Sequence, residues 1–214
     1  MTRLPAAARA TPSRDPRLFA IVLAAGLSQR FGAVKQLAKY RGQPLAAHAL
    51  RIAESLCSNR TVLVTGHHGA AVHRACAPIA GFRVHNSDYR QGLASSIAHG
   101  VAALRHAADG VLLLLADQPL IDQQHLTRLA ERWSAAPERV VATAYAGKSG
   151  VPVIFPRRLF DDLCKLTRRH RRATAAAAMR QRRPDRYSCE AAATDIDRPE
   201  DLAEISTDTP PTWL

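Results

Sequence analysis

A loop that combines glycines, a hydroxyl group and two cations follows a strand-like apolar segment near the start of the chain. Residues 19 to 35 are FAIVLAAGLSQRFGAVK, and the members suited to chemistry are Gly26, Ser28, Arg30, Gly32 and Lys35. Glycines let backbone N–H groups approach anionic oxygens, a serine hydroxyl adds a donor, and arginine and lysine add positive charge. The loop is therefore predicted to bind a polyphosphate, such as the triphosphate of a nucleotide.

Three acids could hold a metal ion beside such a loop. Asp117 follows the continuous apolar run VLLLLA, while Asp195 and Asp197 precede a helix predicted to begin at Pro199. A carboxylate at the tip of a buried strand is placed to hold Mg²⁺ against nucleotide oxygens, which makes Asp117 the best candidate. By pattern alone, Asp195 and Asp197 are equally well explained as caps of the helix that follows them.

The elements that must position these residues alternate between strands and helices. Strands are predicted from residue 19 to the loop and at 61–65, 82–85 and 111–116, with helices at 44–57, between 66 and 78, at 92–106 and after Asp122 as N-cap. This alternation predicts an α/β fold with a three-layer, Rossmann-like, mostly parallel sheet flanked by helices. Segments 140–145 and 151–155 are predicted to add a small antiparallel edge or flap. Ligands gather at the carboxyl ends of such strands, which is where Gly26, Asn86 and Asp117 stand.

Length and composition predict a single catalytic domain. The chain has 214 residues, and we expect a nucleotide-binding domain at 19–206, a disordered leader at 1–18 that contains three prolines, and a tail at 207–214. The four cysteines are scattered, which implies neither a disulfide framework nor a zinc site. No apolar run is long enough for a signal peptide or a membrane span, so a cytoplasmic location without membrane contact is expected.

Positive charge is concentrated in one segment. The formal net charge is +12, and residues 165–186 contain nine of the Lys and Arg residues and a single acid. Such a surface attracts nucleic acids, acidic proteins or phosphorylated small molecules, but most Arg-rich segments are simply solvated. Nucleic acid is not expected as a partner, because the segment lacks the aromatic residues that stack on bases, apart from the adjoining Tyr187. The histidine pair His67 and His68 is expected at the surface.

The loop pattern LAAGxSxRxGxxK resembles the signature of the molybdopterin nucleotidyltransferase-like family, the MobA/MocA group of the nucleoside-triphosphate transferases. It differs from the commoner GxxxxGK[ST] and GxGxxG loops. Further segments that resemble the family follow in the same order between residues 19 and 205, namely NSDYRQGLASSI from 86, LLADQPL from 114, GVPV from 150 and TDIDRPEDL from 194. The resemblance implies a nucleotide-diphospho-sugar transferase-like fold, with the cytidylyltransferase members as the nearest relatives.

The resemblance also implies roles for particular residues. The nucleotide would be bound by Leu23, Ala24, Ala25, Gly26, Ser28, Arg30, Lys35 and Asp88. Arg30 and Lys35 would be catalytic, with Arg30 on the β- and γ-phosphates and Lys35 near the α-phosphate. Mg²⁺ would be held by Asp117 and Asp197, with Asp195 a weaker candidate behind them. The acceptor would be bound by Gly92, Ser95, Ser96, Gly150 and Pro152.

The implied reaction is Mg²⁺-dependent transfer of CMP from CTP to the terminal phosphate of molybdopterin, with release of pyrophosphate. The family associates the loop LAGG with guanine nucleotides, and Ala25 in this chain adds a Cβ that leaves less room for a purine. The resemblance therefore favours CTP over GTP. An acceptor molybdoenzyme or its chaperone is implied as a possible protein partner.

Two departures from the family pattern leave alternatives open. Val151 stands where many members have His or Asn, and residues 167–172 (TRRHRR) replace a Gly-Asp-x-Gly turn on the acceptor side. The chain could instead be a GTP-dependent molybdopterin guanylyltransferase or a sugar- or polyol-phosphate nucleotidylyltransferase. In a different functional class, it could be a non-catalytic module that binds the cofactor and delivers it through the basic segment.

Overall fold

The predicted strands assemble into one seven-stranded sheet. The structure is a computed structural model that describes residues 16–166 and 184–207, with side chains described up to residue 205. The sheet contains β1 (Leu18–Ala24), β4 (Thr61–Thr65), β5 (Phe82–His85), β6 (Gly110–Leu115), β7 (Val141–Tyr145), β8 (Lys148–Pro156) and β9 (Asp185–Ser188). The strand order is β5-β4-β1-β6-β8-β7-β9. Strands β5, β4, β1 and β6 are parallel, as predicted for alternating strands and helices.

Helices connect most of these strands and match the predicted segments closely. They are α1 (Leu45–Leu56), α2 (Gly69–Ala75), α3 (Leu93–Leu104), α4 (Gln123–Ala135), α5 (Phe160–Cys164) and α6 (Pro199–Thr207). The predicted cap at the start of α4 is confirmed, since the Asp122 carboxylate accepts a hydrogen bond of 2.7 Å from the backbone N–H of His125. Pro199 begins α6, as expected from its fixed φ at the first turn.

Both faces of the sheet are covered, which explains the continuous apolar runs in the sequence. In β1, Ala20 and Val22 pack in the core beneath α1 and α4, while Ile21 and Leu23 pack in the core beneath α3. Successive strand residues point to opposite faces, so a strand buried on both sides has no polar alternation. The predicted three-layer α/β architecture is confirmed.

The antiparallel part of the fold is found in two places. Strand β8 runs antiparallel to β6 and to β7, and β9 pairs parallel with β7, so the predicted antiparallel segments form one end of the main sheet. The β8 residues Val153, Ile154 and Phe155 are buried, which explains why the segment does not stand apart as a flap. A separate two-stranded antiparallel sheet is formed by β2 (Lys39–Tyr40) and β3 (Gln43–Pro44).

The strand order creates a crevice at the carboxyl ends of β1 and β6. Strand β1 lies between β4 and β6, and α1 and α3 lie on opposite faces of the sheet. Open α/β sheets bind ligands where connections diverge in this way. None of the helices in the described part of the chain is long and apolar enough to cross a bilayer. The leader up to residue 15, most of the basic segment (167–183) and the tail from 208 lie outside the described residues.

Candidate active site

A cavity of about 550 Å³ opens at this crevice. It collects most of the residues that sequence analysis assigned to a site, namely Leu23, Ala25, Gly26, Ser28, Arg30, Lys35, Gly92, Ser96, Asp117 and Asp197. These residues come from the ends of β1 and β6, from the start of α3 and from the segment before α6. The fold therefore brings together side chains that are spread over almost the whole described chain.

The phosphate-binding candidate loop is held in shape by its own side chains. Ser28 adopts a left-handed backbone conformation with φ of 56°. The Ser28 hydroxyl accepts a hydrogen bond of 3.2 Å from the Lys35 backbone N–H and donates one of 3.2 Å to the amide oxygen of Gln36. The Gln36 amide in turn donates to the carbonyl oxygen of Gly26 at 3.0 Å. In this structure Ser28 thus orders the loop around the cavity that it also lines.

Glycine at position 26 is not required by the fold. Its φ lies outside the left-handed region, and an added Cβ would meet Gln36 Nε2 at 3.5 Å, which is ordinary van der Waals contact. Gly32, by contrast, has φ of +72°, where a side chain is strained although nothing lies within 4 Å of its Cβ position. Neither packing nor backbone conformation therefore requires glycine at position 26.

We expect Gly26→Ala to weaken nucleotide binding without changing stability. The affinity for CTP should fall at least ~10-fold by calorimetry, since a methyl group would keep phosphate oxygens from the backbone, while the free energy of unfolding should change by less than about 0.5 kcal/mol. Gly32→Ala is the matched control and should lower stability through its positive φ. Unchanged CTP affinity in Gly26→Ala would contradict a phosphate at this loop.

Two cations and two carboxylates meet on one side of the cavity. The Lys35 ammonium lies 2.6 Å from Asp117 Oδ2 and 3.4 Å from Asp197 Oδ1. The Arg30 guanidinium contacts the other oxygen of Asp197 at 2.8 Å. The Lys35 side chain is largely buried, with 12% exposed, whereas Arg30 is 67% exposed and reaches out over the cavity. The group is close to charge balance without any ligand.

Asp197 reaches this position through backbone contacts of its segment. The backbone N–H of Ile196 donates to the carbonyl oxygen of Asp117 at 2.9 Å, and the Ile196 side chain is fully buried. The Asp201 carboxylate accepts hydrogen bonds from the backbone N–H groups of Asp197 and Arg198 at 2.7 and 2.8 Å, and these bonds lower the pKa of Asp201. Asp201 thus caps α6, which leaves the Asp197 side chain free to face the cavity.

Asp195, the weaker metal candidate, and Asp197 lie in different surroundings. Asp195 lies outside the cavity lining, where one of its oxygens accepts a hydrogen bond of 3.0 Å from the Gln118 amide. Partial burial and then the nearby Asp117 carboxylate raise the pKa of Asp195. Asp195 therefore supports the strand end beside Asp117, and Asp197 is the acid that faces Lys35 and the cavity.

The donor set of Asp117 and Asp197 suits Mg²⁺. Carboxylate oxygens are its preferred protein ligands, and it is usually held by one or two carboxylates together with substrate phosphates and waters. Across residues 16–166 and 184–207 there is no cluster of three or more His, Cys, Asp or Glu side chains that could hold a metal by itself. A site of two carboxylates would accordingly depend on a phosphate ligand to complete its coordination.

A second wall of the cavity is built around a buried amide. Asn86 is fully buried, and its amide donates to the hydroxyls of Ser95 and Ser96 at 2.9 and 3.0 Å. The Ser95 hydroxyl lies within hydrogen-bond distance of the carbonyl oxygens of Asp88 and Gly92, so its hydrogen-bonding capacity is used inside the turn. Gly92, with φ of 92°, and Ser96 do line the cavity.

Besides Asp195, five predicted site residues lie outside the cavity lining. They are Ala24, Asp88, Ser95, Gly150 and Pro152. Ala24 is buried on the α1 face of the sheet, and Asp88 accepts a hydrogen bond of 3.1 Å from Gln91. A Cβ at Gly150 would clash with the ring and hydroxyl of Tyr145, so packing explains this glycine. The Pro152 carbonyl oxygen accepts a hydrogen bond from Thr143.

Several residues that line the cavity were not among the predicted site residues, including Gln36, Tyr89, Arg90 and Leu93. Leu93 is 47% exposed, which is unusual for a leucine in a helix and marks the apolar rim of the cavity. Tyr89 and Leu93 belong to the segment NSDYRQGLASSI, whose resemblance to the family could have identified them as site residues. No sequence pattern could have identified Gln36, because its burial depends on the fold of the loop.

The chain is similar in sequence to a known family of nucleotidyltransferases. The family model for the MobA-like NTP transferase domain matches residues 20–185. Purine catabolism protein PucB of Bacillus subtilis (strain 168) is 29% identical over 155 residues, which are 69% of this chain and 74% of that protein. Molybdenum cofactor cytidylyltransferase of Escherichia coli (strain K12) is 28% identical over 135 residues, 63% of this chain and 67% of that protein.

Two further comparisons bear on length and fold. Bifunctional protein GlmU of Dinoroseobacter shibae is 34% identical over 133 residues, 61% of this chain, but these residues are only 30% of that longer protein. The crystal structure of Rv0371c from Mycobacterium tuberculosis H37Rv superposes with a TM-score of 0.74 at 24% identity, and covers 91% of this chain and 100% of that one. The two chains therefore share their fold.

Proposed function

Since the chain belongs to the family of MobA-like NTP transferase domains, we propose that it transfers CMP from CTP to the terminal phosphate of molybdopterin and releases pyrophosphate. Membership of this family supports nucleotidyl transfer as the type of reaction. The family model matches residues 20–185 and thus most of the described chain. CTP, the molybdopterin acceptor and Mg²⁺ are the specific parts of the proposal. A molybdoenzyme or its chaperone would then take up the dinucleotide product.

The proposal depends on one observation above all, which is the meeting of Arg30 and Lys35 with Asp117 and Asp197 beside the Gly26 loop. Two cations next to a glycine loop suit the phosphates of a nucleotide, and two carboxylates suit a divalent cation. Because all of them line one cavity, a metal-bound triphosphate could contact all four side chains at once.

The chemistry needs no general base. A phosphate monoester oxygen of the acceptor is already anionic at neutral pH, so it attacks the α-phosphorus of CTP directly, while the bond to the β-phosphate breaks and pyrophosphate leaves with the electron pair. Catalysis then comes from in-line positioning and from neutralising charge. Lys35 would stabilise the charge at the α-phosphate, and the exposed Arg30 would hold the β- and γ-phosphates. Mg²⁺ held by Asp117 and Asp197 would supply further charge neutralisation on the phosphates.

The preference for CTP is supported by Ala25. This residue lines the cavity directly after β1, and only 5% of it is exposed. A Cβ at this position removes space that a glycine would leave open, and a purine needs more space than a pyrimidine. The choice of molybdopterin is supported by the similarity to a molybdenum cofactor cytidylyltransferase over 135 residues.

Pyrophosphate release by the purified chain with Mg²⁺ tests the proposal. CTP, GTP, ATP and UTP are compared, each with and without molybdenum-loaded molybdopterin. Release that needs both CTP and the pterin is the expected result. Release with GTP would identify a guanylyltransferase, and release that needs a sugar or polyol phosphate would identify another acceptor. Stoichiometric CTP binding without any release would indicate a delivery module and contradict catalysis.

A further inference from the structure

The Lys35 ammonium lies between the two carboxylates that would hold a divalent cation. Its distances to Asp117 Oδ2 and Asp197 Oδ1 are 2.6 and 3.4 Å, and only 12% of the side chain is exposed. The remaining oxygen of Asp197 is taken by Arg30 at 2.8 Å. Each acid that could bind a metal is therefore already paired with a cation of the protein.

The Lys35 ammonium lies at the place where a divalent cation would have to bind. A divalent cation bound to Asp117 Oδ2 would lie within a few Å of the ammonium at its present position, and like charges so close repel strongly in a partly buried site. The oxygens that accept hydrogen bonds from Lys35 would also have to exchange that donor for the metal. For the carboxylates to bind a divalent cation through the oxygens that Lys35 now contacts, Lys35 must therefore move.

Lys35 has the means to move if another anion is available. A lysine ammonium is a point charge on a flexible four-carbon stem, so it can turn towards a neighbouring phosphate without a change in the backbone. Its backbone N–H stays bonded to Ser28 in the loop that faces the same cavity. A nucleotide phosphate at the Gly26 loop would offer the ammonium a new partner within the cavity.

We propose that Lys35 is an internal counter-ion that keeps Asp117 and Asp197 from binding a divalent cation until nucleotide phosphates draw it away. This rests on the proposed function insofar as the site is taken to bind a nucleotide and a metal. The consequence is positive coupling, in which nucleotide and metal each raise the affinity for the other by the same factor. Free divalent cation alone should bind weakly, although the two carboxylates face the cavity.

Titration with Mn²⁺, followed by electron paramagnetic resonance of the unbound ion, tests this directly and needs no turnover. Wild-type protein is compared with Lys35→Met and Lys35→Arg, each with and without the non-hydrolysable analogue α,β-methylene-CTP. Lys39→Met is the matched control, because Lys39 is exposed in β2 and lies outside the cavity lining. Thermal unfolding shows that each variant is folded, and Asp117→Asn shows which binding belongs to this site.

In the absence of nucleotide, Lys35→Met should bind Mn²⁺ at least ~5-fold more tightly than wild type, the lower end of typical coupling factors. Lys35→Arg should remain as weak as wild type, since it keeps the positive charge, and Lys39→Met should be unchanged. The analogue should tighten Mn²⁺ binding in both proteins, because its phosphates are themselves ligands, but by a larger factor in wild type than in Lys35→Met, where no ammonium has to be drawn away.

Equal or weaker Mn²⁺ binding by Lys35→Met without nucleotide would overturn the proposal, as would tighter binding that persists when Asp117→Asn is combined with it. These outcomes are distinct from failure of the proposed function. A wild-type protein that releases no pyrophosphate would contradict the reaction, whereas the Mn²⁺ titration without nucleotide would still measure how Lys35 controls the carboxylates.

Discussion

Asp117→Asn is expected to lower the rate of pyrophosphate release about 10³-fold, the loss that corresponds to several kcal/mol of metal-assisted charge stabilisation. The substitution keeps the shape of the side chain but removes the charge that a divalent cation needs. Asp117 lies two residues after the end of β6, lines the cavity with 27% of its side chain exposed, and contacts Lys35. Steady-state release with CTP and the acceptor gives kcat and KM, and circular dichroism checks the fold.

The matched control for Asp117→Asn lies at the opposite end of the same strand. Asp109 precedes β6 and accepts hydrogen bonds from the backbone and side chain of Arg17, which lower the pKa of Asp109. Asp109→Asn should reduce stability at neutral pH and leave kcat unchanged. The pKa of Asp109 is lower in the folded protein than in the unfolded chain. Its stabilising effect should therefore be lost as pH falls through the lowered pKa of the folded protein. If Asp117→Asn released pyrophosphate as fast as Asp109→Asn, Asp117 would have no part in the mechanism.

Lys35→Met is expected to lower kcat about 10²- to 10³-fold, as removal of a single preorganised donor at developing charge does in other enzymes. Methionine keeps the length and apolar stem of lysine, so the packing of the largely buried side chain should survive. The loss should fall mainly on kcat rather than on the KM for CTP, because Arg30 and the loop still bind the phosphates. Single-turnover measurements at saturating CTP would separate chemistry from binding.

Lys39→Met is the control for this substitution, since it removes the same charge from an exposed position four residues away that lies outside the cavity lining. It should leave kcat within about twofold of wild type, as surface substitutions generally do. A Lys35→Met variant with a normal kcat and a raised KM would show that Lys35 binds the ground state and the transition state equally. That result would leave Asp117 and Asp197 as the main source of catalysis.

Local patterns in the sequence predicted the elements well, because those patterns act over a few residues. The apolar run before Asp117 became the central strand β6, and Asp122 caps α4 by a bond to a backbone group three residues away. The hairpin was harder to place. An apolar segment such as Val153 to Phe155 suits an edge or an inner strand equally well, and only its pairing with both β6 and β7 shows that it is inside the sheet.

The sequence by itself determined which residues of the loop and of the strand ends are candidates for chemistry, since residue type and local spacing are enough to select them. Only the tertiary structure decided which of them meet. Lys35 contacts one acid that is 82 residues away and another that is 162 residues away, and it reaches Asp197 rather than Asp195. The physical reason is that side chains so far apart in sequence converge only through strand order and long-range backbone bonds, such as that from Ile196 to Asp117.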